Sequence, residues 1–173
     1  MAGQVTIRPG KAADLPQVTG LWQQLVRYHV ECDDRVPPVA SGGAKKWQRR
    51  LKQLLADPTC RLYVAEAGRD EPLVGFATGF LQYAPEVFAP QLAGKVADIF
   101  VLPHWRRQRV GHRLLAALTA WFESESVDHI ELNVVDSNPS AVGFWHGIGA
   151  QGFTRRLWLP MDWQNWIGER EPQ

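Results

Sequence analysis

The chain has 173 residues, 45% of them apolar, which is enough to bury one well-formed core and too few for two ordinary domains. Its 19 Lys and Arg nearly cancel 18 Asp and Glu, so no whole-molecule field is available to hold a nucleic-acid backbone or an anionic membrane. No apolar stretch approaches the roughly 20 residues that cross a bilayer, Met1 to Pro9 lacks the apolar centre of a secretory signal, and Cys32 and Cys60 are the only cysteines. A single soluble domain over residues 1–173, in a reducing cytoplasm, is expected.

Val5 to Arg8 alternates apolar and polar residues before Pro9-Gly10 and predicts a short strand closed by a turn. Asp14 offers an N-cap, after which Leu15, Val18, Leu21, Trp22, Leu25, Val26 and His29 recur at helical spacing. A loop over Glu31 to Gly43 separates this helix from a second, carried by Trp47, Leu51, Leu54 and Leu55 and stopped at Pro58. Cys60 to Ala67 and Leu73 to Gln82 predict an antiparallel hairpin, and Val96 to Leu102 a further strand. Val110, Leu114, Leu115, Leu118, Trp121 and Phe122 mark a third helix, His129 to Val135 an alternating strand, and Asn138-Pro139 the start of a fourth helix. Gln151 to Met161 reads as closing strands, followed by an aromatic tail with Trp163 and Trp166.

The stretch from Asp98 to Leu115 is the most informative, because a strand leads through a basic turn directly into an amphipathic helix. The first N–H groups of a helix lack intrahelical partners and sit at the positive end of its dipole, so a pyrophosphate placed against residues 106–111 would be satisfied there. Arg106, Arg107 and Arg109 add positive charge, and Gly111 leaves room for close approach.

Val101, Pro103, Arg106 and Gly111, with Leu114 and Leu115 behind them, resemble motif A of the GCN5-related N-acetyltransferase (GNAT) family, whose signature is [Arg/Gln]-x-x-Gly-x-[Gly/Ala]. Downstream, Asn138-Pro-Ser-Ala-Val-Gly-Phe-Trp-His-Gly-Ile-Gly149 is similar to that family's Asn-x-x-Ala-x-x-Phe-Tyr-x-x-x-Gly-Phe, and Ile7-Arg8-Pro9 with Asp14-Leu15-Pro16 to its first strand and helix. The resemblance covers essentially the whole chain. It implies an α/β (α+β) fold whose mixed sheet of about six to seven strands, flanked by about four helices, splays between the fourth and fifth strands. It also implies acetyl-coenzyme A as cosubstrate, with Ile99, Phe100 and Val101 beside pantetheine and Arg106, Arg107, Gln108, Arg109, Val110, Gly111 and His112 around the pyrophosphate. Asn138, Ala141 and Trp145 complete the cofactor-binding set. Arg109 replaces the first motif glycine: a position that demands positive φ would strain it, whereas one already helical would cost little, and the second case is expected.

Acetyl transfer to an amine needs a base or a desolvated pocket, since alkylamines have a pKa near ~10.4. Asp98 resembles an acidic position found in diamine and polyamine acetyltransferases, although the residue before it, often Glu there, is Ala97 here. Asp98 is therefore the candidate base or amine anchor, with Glu86 and Glu131 behind it. The family's proton-donating Tyr on the fourth helix is replaced by Trp145, whose indole cannot protonate a thiolate, which leaves Tyr83 as a substitute acid. A backbone N–H from Ile99 to Val101 is the expected oxyanion donor.

Glu31, Asp33 and Asp34, in the loop after the first helix, with Glu86 and Asp98, form a set that would select a cationic amine such as a polyamine, a lysine-like amino acid or an aminoglycoside. The five histidines show no ligand spacing with the cysteines, so no metal is expected. The terminal tryptophans allow a homodimer. Two competing readings stand beside the transferase: an inactive acyl-coenzyme A sensor of the same fold, and a nucleic-acid binder using Trp105-Arg-Arg-Gln-Arg109, against which the near-zero net charge counts.

Overall fold

A computed structural model describes residues 5–68 and 71–162, and these residues form five strands and four α-helices. In chain order they are β1 (Thr6–Pro9), α1 (Leu15–Cys32), α2 (Gly43–Leu54), β2 (Cys60–Glu66), β3 (Leu73–Tyr83), β4 (Leu92–Val101), α3 (Val110–Ser124), β5 (His129–Leu132) and α4 (Pro139–Gly147). The strands follow one another across a single mixed sheet, antiparallel from β1 to β4 and parallel between β4 and β5. A parallel pair requires a crossover, and α3 supplies it. No helix among the described residues is long and apolar enough to cross a membrane.

Alternation along the strands sends apolar side chains to both faces, and each face has its own helical cover. Val110, Leu114, Leu118, Trp121 and Phe122 of α3 pack with Ala65, Val74, Ala77 and Val96 on one face. Leu15, Val18, Leu21 and Leu25 of α1, with Leu51 of α2, pack with Leu62, Val64, Phe76 and Phe100 on the other. Asp14 stands at the N-cap position of α1 as expected, but its side chain makes no cap hydrogen bond. It accepts instead from both terminal nitrogens of Arg8, at 2.8 and 2.9 Å, and from the Lys11 backbone N–H at 2.8 Å. Arg8 also reaches Glu66, so one guanidinium ties β1 to β2 and to the start of α1.

Two strands differ from their expected bounds. β4 starts at Leu92, four residues before the apolar run begins, because Ala93 and Gly94 are the small residues that fit beneath Phe122. A Cβ on Gly94 would lie 2.7 Å from that ring. β5 stops at Leu132, three residues early, and pairs with β4 only over Ala93–Val96.

The expected closing strands over Gln151 to Met161 do not form, and the sheet has five strands among the described residues, short of the expected six to seven. The alternation there supplies an apolar face, yet no described residue covers it: exposure runs from 64% at Trp158 to 94% at Met161, and Phe153, Leu157 and Leu159 fall between. Trp163 and Trp166 lie outside the described residues.

Candidate active site

The site follows from how β4 is used. Its antiparallel pairing with β3 continues to Val101, whereas its parallel pairing with β5 ends at Val96, so the β5-facing edge of residues 97–101 has no strand partner among the described residues. The β3 register also slips at this point. Thr78 pairs with Asp98 and Gly79 with Val96, which leaves Ala97 as the extra residue of a β-bulge. A bulge bends the strand and frees the extra residue's backbone from the ladder. The sheet is therefore opened between its fourth and fifth strands, next to Asp98.

At the far end of that edge lies the basic turn. Pro103–Trp105 forms a single 3-10 turn, Arg106 is extended, and α3 begins at Val110. The first intrahelical bond runs from the Arg113 N–H to the Arg109 carbonyl at 3.0 Å, so the N–H groups of Val110, Gly111 and His112 point outward without intrahelical acceptors. The side chains of Arg107, Gln108, Arg109 and His112 are exposed around them. Arg106 behaves differently: its Nε donates to the Val101 carbonyl at 3.0 Å, and its guanidinium lies over the rings of Tyr28 and Phe100, which fastens the turn to β4 and α1.

The expectation that Arg109 is already helical is overturned. Arg109 has φ 59° and ψ 13°, in the left-handed region, and Arg107 has φ 63°. Two left-handed residues stand between the 3-10 turn and α3, a backbone arrangement of the kind that forms anion-binding concavities. Such strain persists where surrounding structure imposes it and gathers at functional sites. Gly111 itself is not in this region, and a Cβ there would make ordinary contact with Phe144 at 3.5 Å.

On the α2 face, Asp98 lines a cavity of about 380 Å³ together with Thr78, Gly79, Phe80, Cys60 and the α2 residues Trp47, Leu51 and Leu54. Thr78 Oγ1 donates to Asp98 Oδ2 at 3.1 Å. Burial pushes the Asp98 carboxyl above the usual range, and the Thr78 bond opposes that shift only in part. Burial likewise raises the Cys60 thiol, and its hydrogen bond with Thr59 opposes the shift.

The remaining site candidates scatter. Glu131 is bound by Lys95 and by His129 Nε2 at 2.8 Å, and these partners hold its carboxyl below the usual range. Tyr83 is 70% exposed and lies five residues beyond Thr78 on β3, about 17 Å along the strand from the Asp98 pairing position. Glu31 belongs to the last turn of α1, not to the loop, while Asp33 holds Arg35 in a 2.6 Å ion pair and accepts from Ser137 Oγ at 3.0 Å. The Arg35 guanidinium keeps the Asp33 carboxyl well below its ordinary range. Asp34 and Glu86 are exposed, and neither they nor Glu31 and Asp33 line the cavity that holds Asp98.

On α4, Asn138 is buried and caps the helix by accepting from the Ala141 N–H at 3.0 Å, and Trp145 is buried in the α3-side core, with Ala141 packed against that core. Phe144, between them, meets His112 edge-on, so α4 flanks the opening of α3. Among the described residues no three His, Cys, Asp or Glu side chains gather as metal ligands would. Sequence reasoning missed the cavity wall: Trp47, Leu51, Leu54 and Leu55 read as a core stripe, yet only Leu51 is fully buried. A stripe wider than its core contact was the available signal.

An opened strand edge that ends at a helix start with unpaired N–H groups is the architecture of a coenzyme A-dependent transferase, and comparison with known proteins agrees. Residues 22–150 match the acetyltransferase (GNAT) family, and the chain belongs to that family of acetyl-coenzyme A-dependent acyltransferases. Over 99 residues it is 30% identical to L-ornithine N5-acetyltransferase NATA1 of Arabidopsis thaliana, a match that takes in 57% of this chain and 42% of that protein. The chain thus spans under half the length of the curated relative it matches. The fold is similar to that of a mutant BH1408 protein from Bacillus halodurans, with a TM-score of 0.81, 20% identity, and 90% and 99% of the two chains covered. It is similar also to AAC(6')-Iy in complex with the bisubstrate analogue CoA-S-monomethyl-acetylneamine, with a TM-score of 0.70, 18% identity, and 91% and 97% covered. At these identities the likeness is one of fold.

Proposed function

We propose that this chain is a cytoplasmic N-acetyltransferase that moves the acetyl group of acetyl-coenzyme A onto the primary amine of a small molecule by direct attack on the thioester. One observation carries the reading. A carboxylate with raised pKa lines a cavity beside a bulge, and that bulge opens onto the free edge of β4, whose other end meets the N–H groups of α3. The names of NATA1 and of the AAC(6') proteins, an ornithine and an aminoglycoside N-acetyltransferase, support an amine as acceptor.

In this mechanism the N–H groups of Val110, Gly111 and His112, with Arg107 and Arg109, hold the pyrophosphate, and the free edge of residues 97–101 holds the pantetheine arm. The acceptor arrives as an ammonium ion, and Asp98 takes one of its protons. The nitrogen lone pair then attacks the thioester carbon, and a backbone N–H of the free edge stabilises the oxyanion, a contribution of roughly 10² to 10³ in rate. On collapse the C–S bond breaks, and the second amine proton ends on the departing sulfur. A thiol resembling that of Cys, with pKa near ~8.5, can leave as thiolate without a protein acid, in keeping with the burial of Trp145 and the remote position of Tyr83. A second copy of the chain would cover the apolar side chains of residues 153–161, so the proposal includes a homodimer.

Calorimetric titration of acetyl-coenzyme A, followed by detection of free thiol across a panel of amines, tests this reading. Micromolar binding with amine-dependent thiol release is the expected result. Binding without release from any amine would favour an acyl-coenzyme A sensor, and absence of binding would sink the cradle.

A further inference from the structure

The loop acids that would select a polycationic acceptor do not line the cavity beside Asp98, so the wall itself decides what enters. That wall is largely apolar on its α2 side. Trp47 stacks on Trp22 with ring centroids 4.6 Å apart and meets Phe76 edge-on, while Leu51, Leu54, Leu55 and Phe80 complete the enclosure. Its charged lining residues are few. Asp57 is folded back onto the Thr59 N–H and hydroxyl at 2.8 and 2.7 Å. Arg61 turns its guanidinium to the other face of the sheet, over the Trp121 ring at 4.8 Å, and donates to the Pro58 and Cys60 carbonyls. Arg50, exposed on α2, contributes a positive charge to the lining.

A long polycation placed here would find Asp98 for its reacting amine, hydrocarbon along most of its length and, as a second carboxylate in the lining, the solvent-exposed Asp57, whose Oδ1 is held by Thr59 and whose charge Arg50 in the same lining opposes. Burying further ammonium groups against such a wall is unfavourable, because desolvated charge needs a partner. An acceptor with one amine and an apolar body meets no such conflict: its ammonium pairs with Asp98 and its carbon skeleton displaces water from Trp47, Leu54, Leu55 and Phe80.

We infer that the cavity between α2 and the sheet selects acceptors carrying a single primary amine on an alkyl or aromatic body, and disfavours polyamines and aminoglycosides. The inference deepens the transferase reading and rests on Asp98 as the partner of the reacting amine.

Thiol release from acetyl-coenzyme A is measured with propylamine, butylamine, hexylamine, 2-phenylethylamine, spermidine and ornithine. For the alkylamines kcat/KM rises about fourfold per methylene, the equivalent of burying each one. Hexylamine and 2-phenylethylamine exceed spermidine at least about tenfold, in line with pocket discrimination of uncharged from charged bodies. Phe80→Glu and Leu54→Glu place a carboxylate in the wall. Each raises KM for hexylamine about tenfold or more and narrows the gap to spermidine, with the Kd for acetyl-coenzyme A unchanged as evidence of correct folding. A flat alkyl series, a preference for spermidine, or a wild-type KM in both variants would overturn the inference while leaving the transferase intact. If no amine releases thiol, hexylamine is titrated calorimetrically into the coenzyme A complex. Binding that Phe80→Glu abolishes then upholds the pocket and removes the transferase reading, whereas no binding overturns the inference too.

Discussion

Thr78 and Asp98 face each other across the register shift between β3 and β4, and the Thr78 hydroxyl donates to Asp98 Oδ2 at 3.1 Å. This side-chain bond favours the ionised form of a carboxylate which burial otherwise pushes toward protonation. The pair therefore sets how strong a base the cavity contains.

Asp98→Asn lowers kcat by about 10² to 10⁴, the usual range for a general base, and leaves the Kd for acetyl-coenzyme A unchanged. It also stabilises the fold at neutral pH. Because the folded carboxyl has a raised pKa, its favourable contribution is complete below the unfolded value near ~3.9 and is lost as pH rises through the folded value. At pH 7 Asp98 thus opposes folding, and thermal melts of the two proteins should diverge as pH increases.

Thr78→Val removes the bond that holds Asp98 down, so the Asp98 carboxyl titrates at higher pH than in the parent. The acid limb of the kcat/KM profile moves toward alkaline pH, and activity at saturating alkalinity is retained. A pH–rate profile of the variant checks the direction; an unmoved acid limb would separate Asp98 from the chemistry.

Arg109 occupies a left-handed conformation that glycine adopts freely. Arg109→Gly relieves about 1–2 kcal/mol of strain and gives back about 0.5–1 kcal/mol of unfolded-state entropy, for a net gain of roughly 0.5–1 kcal/mol. Loss of the guanidinium weakens acetyl-coenzyme A binding and flattens its salt dependence. Melting curves and calorimetry at two salt concentrations read both effects.

Arg8 joins Asp14, which is buried, to Glu66. Its hydrogen bonds hold the Asp14 carboxyl below the usual range, so the associated stability is present above the unfolded pKa near ~3.9 and is lost as pH falls through the folded value. Arg8→Met leaves Asp14 without its counter-ion. The partial exposure of Arg8 puts the expected loss at about 2–3 kcal/mol, beneath the roughly 3–5 of a fully buried pair. Urea melts at pH 7 and pH 3 should differ less for the variant than for the parent.

The periodic helices were legible because their apolar faces meet the sheet directly: the Leu15, Val18, Leu21 and Leu25 stripe and the Val110, Leu114 and Leu118 stripe are the ones that pack. The basic turn that leads into α3 was legible from its composition and its resemblance to a known motif. Its backbone was not, since left-handed arginines at 107 and 109 oppose local preference. The early start of β4 was hidden because Ala93 and Gly94 are dictated by the Phe122 ring above them, a contact distant in sequence. Loop acids at 33 and 34 do not line the cavity beside Asp98, and composition does not reveal that Asp33 is committed to Arg35 and Ser137. Residues 151–161 alternate like strands, and only three-dimensional structure shows that no element among the described residues lies against them.

The most direct test of acetyl transfer through Asp98 is thiol release from acetyl-coenzyme A, with hexylamine as acceptor, followed for the wild-type protein and Asp98→Asn at pH 7.5 under saturating cosubstrate. Amine-dependent release by the wild type, reduced about 100-fold or more in the variant at equal acetyl-coenzyme A affinity, is the predicted result. Equal rates in the two proteins would contradict it.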